Sequence, residues 1–387
     1  MGSIWDSSLY SGTRAGLKFM GQWPFQSPGR NKFLKCMWIL FVGSIYLPKF
    51  IKFVESLNDV DLVMECMPML CCHGIGIIKF INWAINTEQM KHLLVKIERD
   101  WESLKLQRDI DLLIVFTDRG RKINRIYAMA LYSVLGVYLV SPGMPKILDL
   151  LLPRNESRPR IFLYQTEYFI DQDKYYMHIL IHAYLTVPVS VTSIVYFDNL
   201  FAMFINHTCG MCEILKRHLE DLCDKTTSDN RTTGYYERIK LCATLQTNII
   251  QFIEDLESSY SVALFLIVGL NMWLITLTGM MGVVKINEPS EVIRFTVFNG
   301  GAIFHLFWSS WQGHNLIVQT ESVFISAYQN EWYRIPWKFQ KMMLPFMMRS
   351  ITPCRITAGK FYYMSMDSFG VAMRMTMSFF TLLLSVQ

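Results

Sequence analysis

The chain has 387 residues, 52% of them hydrophobic and only 18% charged, with a formal net charge of +5 and a mean hydropathy of +0.24. This balance argues against a string of two or three soluble domains; with polar residues gathered in blocks between long apolar runs, it points to a polytopic membrane protein. The basic excess is read as contact with an anionic inner leaflet rather than with nucleic acid.

The N-terminal stretch MGSIWDSSLYSGTRAGLKFM lacks the apolar core and small-residue cleavage positions of a signal peptide. Asp6 stands where a myristoylation motif starting at Gly2 wants Ser or Thr. A helix needs about 20 largely apolar residues to cross the hydrocarbon. Seven stretches qualify: 33–54, 59–84 (interrupted by Glu65 and Pro68), 125–148 (ending in SPGMP), 176–211 (kinked at Pro188), 258–284, 291–312 and 365–384. Between them, 87–124, 213–257 and 332–357 carry apolar residues at three- and four-residue spacing with charges opposite, which predicts helices continuing beyond the membrane surface. The nine cysteines have no even spacing and mostly lie in apolar runs or basic loops, unlike a secreted disulfide framework.

Lysine and arginine give the orientation, since positive loops stay cytoplasmic. The segments 1–32, 86–124, 209–257 and 313–357 together hold 23, against five in the loops on the other side. The expectation is an all-α protein with seven transmembrane helices, a cytoplasmic N-terminus and an extracellular C-terminus. Residues 1–32 form a cytoplasmic segment, 33–312 the first six spans with their cytoplasmic extensions, 313–364 a helical cytoplasmic anchor, and 365–387 the last helix. Of three glycosylation sequons, Asn155 falls outside, whereas Asn206 and Asn230 fall inside, so sugar is expected on Asn155 alone. An inside N-terminus, with neither D-R-Y (Asp118-Arg119-Gly120 is only a superficial match) nor N-P-x-x-Y, argues against the second reading, a G-protein-coupled receptor-like chemoreceptor. A small-solute transporter is disfavoured by the lack of an internal repeat.

No phosphate-binding loop, G-x-S-x-G elbow or paired catalytic carboxylates appear, which argues against an enzyme; no cofactor is expected. His178 and His182 are four apart and Cys209-x-x-Cys212 stands alone, so no metal site is expected. Lys79 and Arg294 lie near span ends, where long cationic side chains snorkel to the interface. On the last helix, Met375, Ser378, Leu382 and Ser385 follow spacings of three, four and three and share one face. Asp367 and Arg374, seven apart, lie nearly on one side, and each needs water or a partner.

The last sixty or so residues carry specific motifs: Ala327-Tyr328, Glu331-Trp332-Tyr333, Gly359-Lys360-Phe361-Tyr362, Ser365-Met366-Asp367, Phe369 and Ser378-Phe379-Phe380. With the seven spans and basic inner loops, they resemble the insect odorant receptor family. The sister gustatory receptors end in a T-Y-x-x-x-x-x-Q-F pattern, absent here.

The resemblance implies an odorant-gated, nonselective cation channel in the plasma membrane of olfactory neurons, four subunits surrounding a pore built from the seventh helix. It implies a tuning subunit that pairs with the odorant-receptor coreceptor in a heterotetramer, because the coreceptor's ending and its long fourth-to-fifth loop insertion are absent. Leu382 takes the place of the coreceptor's constricting valine, making Met375, Ser378, Leu382 and Ser385 the implied pore and gate. Tyr328, Trp332 and Tyr333 fall in the anchor where subunits meet. The ligand, a small volatile hydrophobic molecule, is implied to lie among the outer halves of helices two, three, four and six. Met69, His73, Leu135, Tyr138, His182, Tyr184, Phe295 and Phe298 are the candidate contacts, and membrane lipid surrounds the whole.

Overall fold

The computed structural model describes residues 4–151, 162–223 and 231–386. Among them run α1 (Ser11–Phe19), α2 (Pro28–Glu55), α3 (Val60–Ile85), α4 (Thr87–Ser103), α5 (Gln107–Val140), α6 (Met144–Leu151), α7 (Tyr176–Glu220), α8 (Arg231–Val284), α9 (Pro289–Gln329), α10 (Trp337–Ser350) and α11 (Met366–Val386). A hairpin of β1 (Thr357–Ala358) and β2 (Tyr362–Tyr363) precedes α11. The protein is an all-α polytopic membrane protein.

Six of these helices, α2, α3, α5, α7, α8 and α11, are long and apolar enough to cross a membrane. The sequence expectation had a further span at 291–312. That stretch is the first half of α9, which packs among α5, α7, α8 and α11 but turns His305, Ser309, Ser310 and Gln312 into the bundle. Its polarity therefore faces protein, not lipid.

Helix length organises the rest. At about 1.5 Å per residue, 45-, 54- and 41-residue helices span roughly 60–80 Å, twice the hydrocarbon thickness. The surplus of α7, α8 and α9 projects beyond the membrane and packs with α4 and α10 into the helical base that 87–124, 213–257 and 332–357 predict. The expected 87–124 helix is broken at Leu104–Leu106, so that α4 turns back and α5 starts afresh; 125–148 is likewise cut after Val140, where Pro142 and Pro145 cannot continue an α-ladder. By contrast α3 runs unbroken through Pro68 and α7 through Pro188.

Two features had no clear sequence signal. Residues 4–23 fold as a cap: Trp5, Tyr10, Leu17, Met20 and Trp23 are buried, Trp101 of α4 donates to the Tyr10 hydroxyl at 3.0 Å, and α1 packs on α7. Burial in this aromatic cluster pushes the Tyr10 phenol above its ordinary range. The β1–β2 hairpin turns through Gly359 (φ 62°) and Lys360 (φ 64°), and a side chain at Gly359 would strike Phe265 of α8. The Gly359 amide also donates to the Ser261 carbonyl at 2.9 Å. Glycine is therefore needed there both for its backbone and for its lack of a side chain.

Candidate functional site

A cavity opens between α3, α5, α7, α8 and α9. Its wall is almost wholly apolar because α3, α5, α7 and α9 turn side chains such as Leu135, Val187, Ile194 and Phe298 toward one another. Of the sequence candidates, Met69, His73, Leu135, Tyr138 and Phe298 line it. The Tyr138 and Phe298 rings lie 5.7 Å apart, and the Tyr138 hydroxyl donates to the Leu163 carbonyl, tying down the segment after α6.

The remaining three lie elsewhere. His182 faces outward from the cavity and joins the Ser44 hydroxyl at 3.0 Å and the Tyr168 hydroxyl at 2.9 Å. Tyr184 is exposed and donates to the Leu139 carbonyl at 3.0 Å. Phe295 packs with Met64, Leu277, Met280 and Met281 beneath Phe380 and Leu383 of α11. Helical spacing explains the misses. At any depth a helix gives only one of its faces to the cavity, so residues at the same depth on its other faces point elsewhere.

Sequence reasoning also missed the cavity's polar floor, contributed by Asn271 of α8 and His305 of α9. Beneath it lies a buried cluster. Lys79 of α3 donates to Asp198 of α7 at 2.5 Å and contacts His305 Nε2 at 2.7 Å. Tyr127 of α5 donates to the other Asp198 oxygen at 2.6 Å, and His305 Nδ1 lies 3.0 Å from Asn271 Oδ1. These contacts fix a direction: with Lys79 donating to Nε2, the ring proton sits on Nδ1 and is donated to Asn271. The expectation that Lys79 and Arg294 snorkel is overturned. Both are buried, Lys79 against Asp198 and Arg294 against Glu291 one turn back on α9. Each finds its counter-ion inside the bundle, so neither needs the interface.

On α11, Met375, Ser378, Leu382 and Ser385 all lie exposed on one face, and Asp367 and Arg374 fall on the same stripe. The opposite face packs inward: Ala372 and Thr376 are buried, and Phe369 meets Phe307 of α9 at 5.8 Å. Only 11% of this apolar span is buried inside the chain, against 56% of α3 and of α8. At the base, Tyr328 and Tyr333 are exposed and Trp332 is partly buried, beside exposed Trp337, Met348 and Ile351. Asn155 lies outside the described residues.

The chain is similar over 96% of its length to Odorant receptor 13a of Drosophila melanogaster, at 23% identity and 94% coverage of that protein. It is 22% identical to Odorant receptor Or2 of Anopheles gambiae, with 87% of each chain covered. Its fold matches that of the insect olfactory receptor OR5 from Machilis hrabei in complex with eugenol, with a TM-score of 0.81 at 12% identity over 97% of both chains. The same receptor solved without eugenol matches at a TM-score of 0.76. The profile of the family described as 7tm Odorant receptor matches residues 59–377, well over half the sequence. Together with the bundle, its apolar cavity and the outward stripe of α11, this match means that the chain belongs to the 7tm odorant receptor family.

Proposed function

We propose that the chain is the ligand-selective subunit of a heteromeric odorant-gated cation channel of the plasma membrane, assembled as a tetramer with the odorant-receptor coreceptor. In this reading an odorant occupies the cavity lined by Met69, His73, Leu135, Tyr138 and Phe298. The α11 face of Met375, Ser378, Leu382 and Ser385 lines the pore, with Leu382 as the constriction. Tyr328, Trp332 and Tyr333 meet neighbouring subunits in a cytoplasmic anchor, the N-terminus lies inside, and Asn155 carries sugar outside.

The observation that carries the reading is the exposure of α11. A span that leaves Asp367, Arg374, Ser378 and Ser385 uncovered on one stripe is poorly suited to lipid, where a charge at the bilayer centre costs about 2.5–3.5 kcal/mol on insertion scales. Water in a shared pore removes that cost, and an apolar ring at Leu382 closes such a pore by dewetting. The cavity suits a small apolar ligand, because burial of apolar surface is non-directional and Asn271 and His305 leave one polar end.

Recordings from cells expressing the chain with the coreceptor test this. Leu382→Ala is expected to raise resting current or change ion permeability while leaving the ranking of ligands intact. Phe298→Ala removes an aromatic wall worth about 1.5–3 kcal/mol of burial and is expected to raise the half-maximal ligand concentration at least tenfold with permeability unchanged. If both variants altered ligand ranking alone, the pore assignment would fail.

A further inference from the structure

Six Asp, Glu, Lys or Arg side chains are buried among the described residues: Lys49, Lys79, Asp109, Asp198, Glu291 and Arg294. Five have an oppositely charged partner: Lys79 with Asp198, Arg294 with Glu291, and Asp109 with Arg108 and His218. Lys49, on α2 and only 1% exposed, pairs with no carboxylate among the described residues. The nearby acids Glu55 and Glu167 are taken by Lys52. What Lys49 has instead is an imidazole and a ring. Its Nζ lies 3.4 Å from His73 Nε2 and 3.6 Å from the centre of the Tyr164 ring. His73 Nδ1 is held by the Met69 carbonyl at 2.9 Å, and the lysine nitrogen lies 3.4 Å from both ring nitrogens, off the axis of the Nε2 lone pair.

A second polar group beside it is weakly answered, for the buried Tyr164 hydroxyl has only the Thr186 hydroxyl near it, beyond ordinary hydrogen-bond geometry. A buried ammonium and a buried hydroxyl, both donors and neither facing an anion, are costly unless something supplies an acceptor. They lie behind the wall of the odorant cavity, in contact with residues that line it. His73, Met69 and Tyr138 line it, and Tyr164 packs in one cluster with Met69 and Tyr138.

We infer that Lys49, His73 and Tyr164 form a head-group subsite for a carboxylic acid ligand. The carboxylate pairs with the Lys49 ammonium and accepts the Tyr164 hydroxyl hydrogen, while the alkyl tail lies in the apolar cavity along Leu135, Val187 and Phe298. This rests on the reading of that cavity as the odorant site. The chemistry commits to an acid over its ester or alcohol, because only the acid supplies the missing negative charge.

The test uses hexanoic, octanoic and decanoic acids beside methyl octanoate and 1-octanol. Binding is read as thermal stabilisation of the purified full-length chain, and response as current in cells that also express the coreceptor. The acids are expected to bind at least tenfold more tightly than methyl octanoate. Lys49→Met is expected to abolish that preference while moving the ester less than threefold, and Lys49→Arg to retain it. No binding by any acid, or an equal loss of acid and ester in Lys49→Met, overturns the proposal. If Lys49→Met fails to reach the membrane, Tyr164→Phe is read in its place, and an unchanged acid affinity there overturns it equally. Acid binding that depends on Lys49 but evokes no current would count against the channel reading and leave the subsite standing.

Discussion

At the residue scale, Lys79 and Asp198 lie 119 positions apart in sequence and 2.5 Å apart in the fold. Read alone, Lys79 near a span end snorkels; the bundle instead pairs it with Asp198 and adds Tyr127 and His305. Removing one member of a buried pair leaves the other uncompensated, at a cost of about 3–5 kcal/mol. Lys79→Met is therefore expected to lower the thermal midpoint of the detergent-solubilised protein and its abundance at the cell surface. The double change Lys79→Met, Asp198→Leu removes the stranded charge and is expected to recover much of the loss. A double variant no more stable than the single one would show that packing, and not charge, governs the site.

At the element scale, the last helix is the clearest case of a pattern read from spacing alone. The face of Met375, Ser378, Leu382 and Ser385 follows from helical periodicity, and these residues stand together on the exposed side of α11. The same stripe takes in Arg374, between Asp367 and Ser378, which puts the arginine on the water side if α11 lines a pore. Cysteine substitution is expected to separate the two faces: Arg374→Cys and Ser378→Cys react with a charged thiosulfonate reagent in open membrane fragments, whereas Thr376→Cys, buried against α8, does not. Protection of all three would place the stripe in lipid or in a dry interface. The hairpin ahead of α11 gives its sequence motif a physical cause. Gly359→Val meets both a positive φ and Phe265, and is expected to cost about 1–3 kcal/mol through backbone strain alone, read as lower surface abundance.

At the scale of the whole molecule, three helices of twice the membrane's thickness make one body of the transmembrane bundle and the base. The topology makes a further prediction: glycosidase treatment is expected to increase the electrophoretic mobility of the chain, and Asn155→Gln to abolish the shift. A persistent shift in Asn155→Gln would move another sequon outside and overturn the orientation.

Hydropathy runs, charge asymmetry and three- to four-residue spacing are local quantities, and they sufficed for the helical class, most of the spans, the helical base and the faces of α11. The cavity's composition was only partly legible. Met69, His73, Leu135, Tyr138 and Phe298 line it, but His182, Tyr184 and Phe295 at comparable depths do not. Depth along a helix can be counted from sequence; its rotation about its own axis is set by the neighbours it packs on. The Lys79, Asp198 and His305 cluster and the lone Lys49 beside Tyr164 depend on three separate segments meeting at a few ångströms. Only the tertiary structure decided them, because which buried charge finds a counter-ion is a property of helix packing and not of the chain's order.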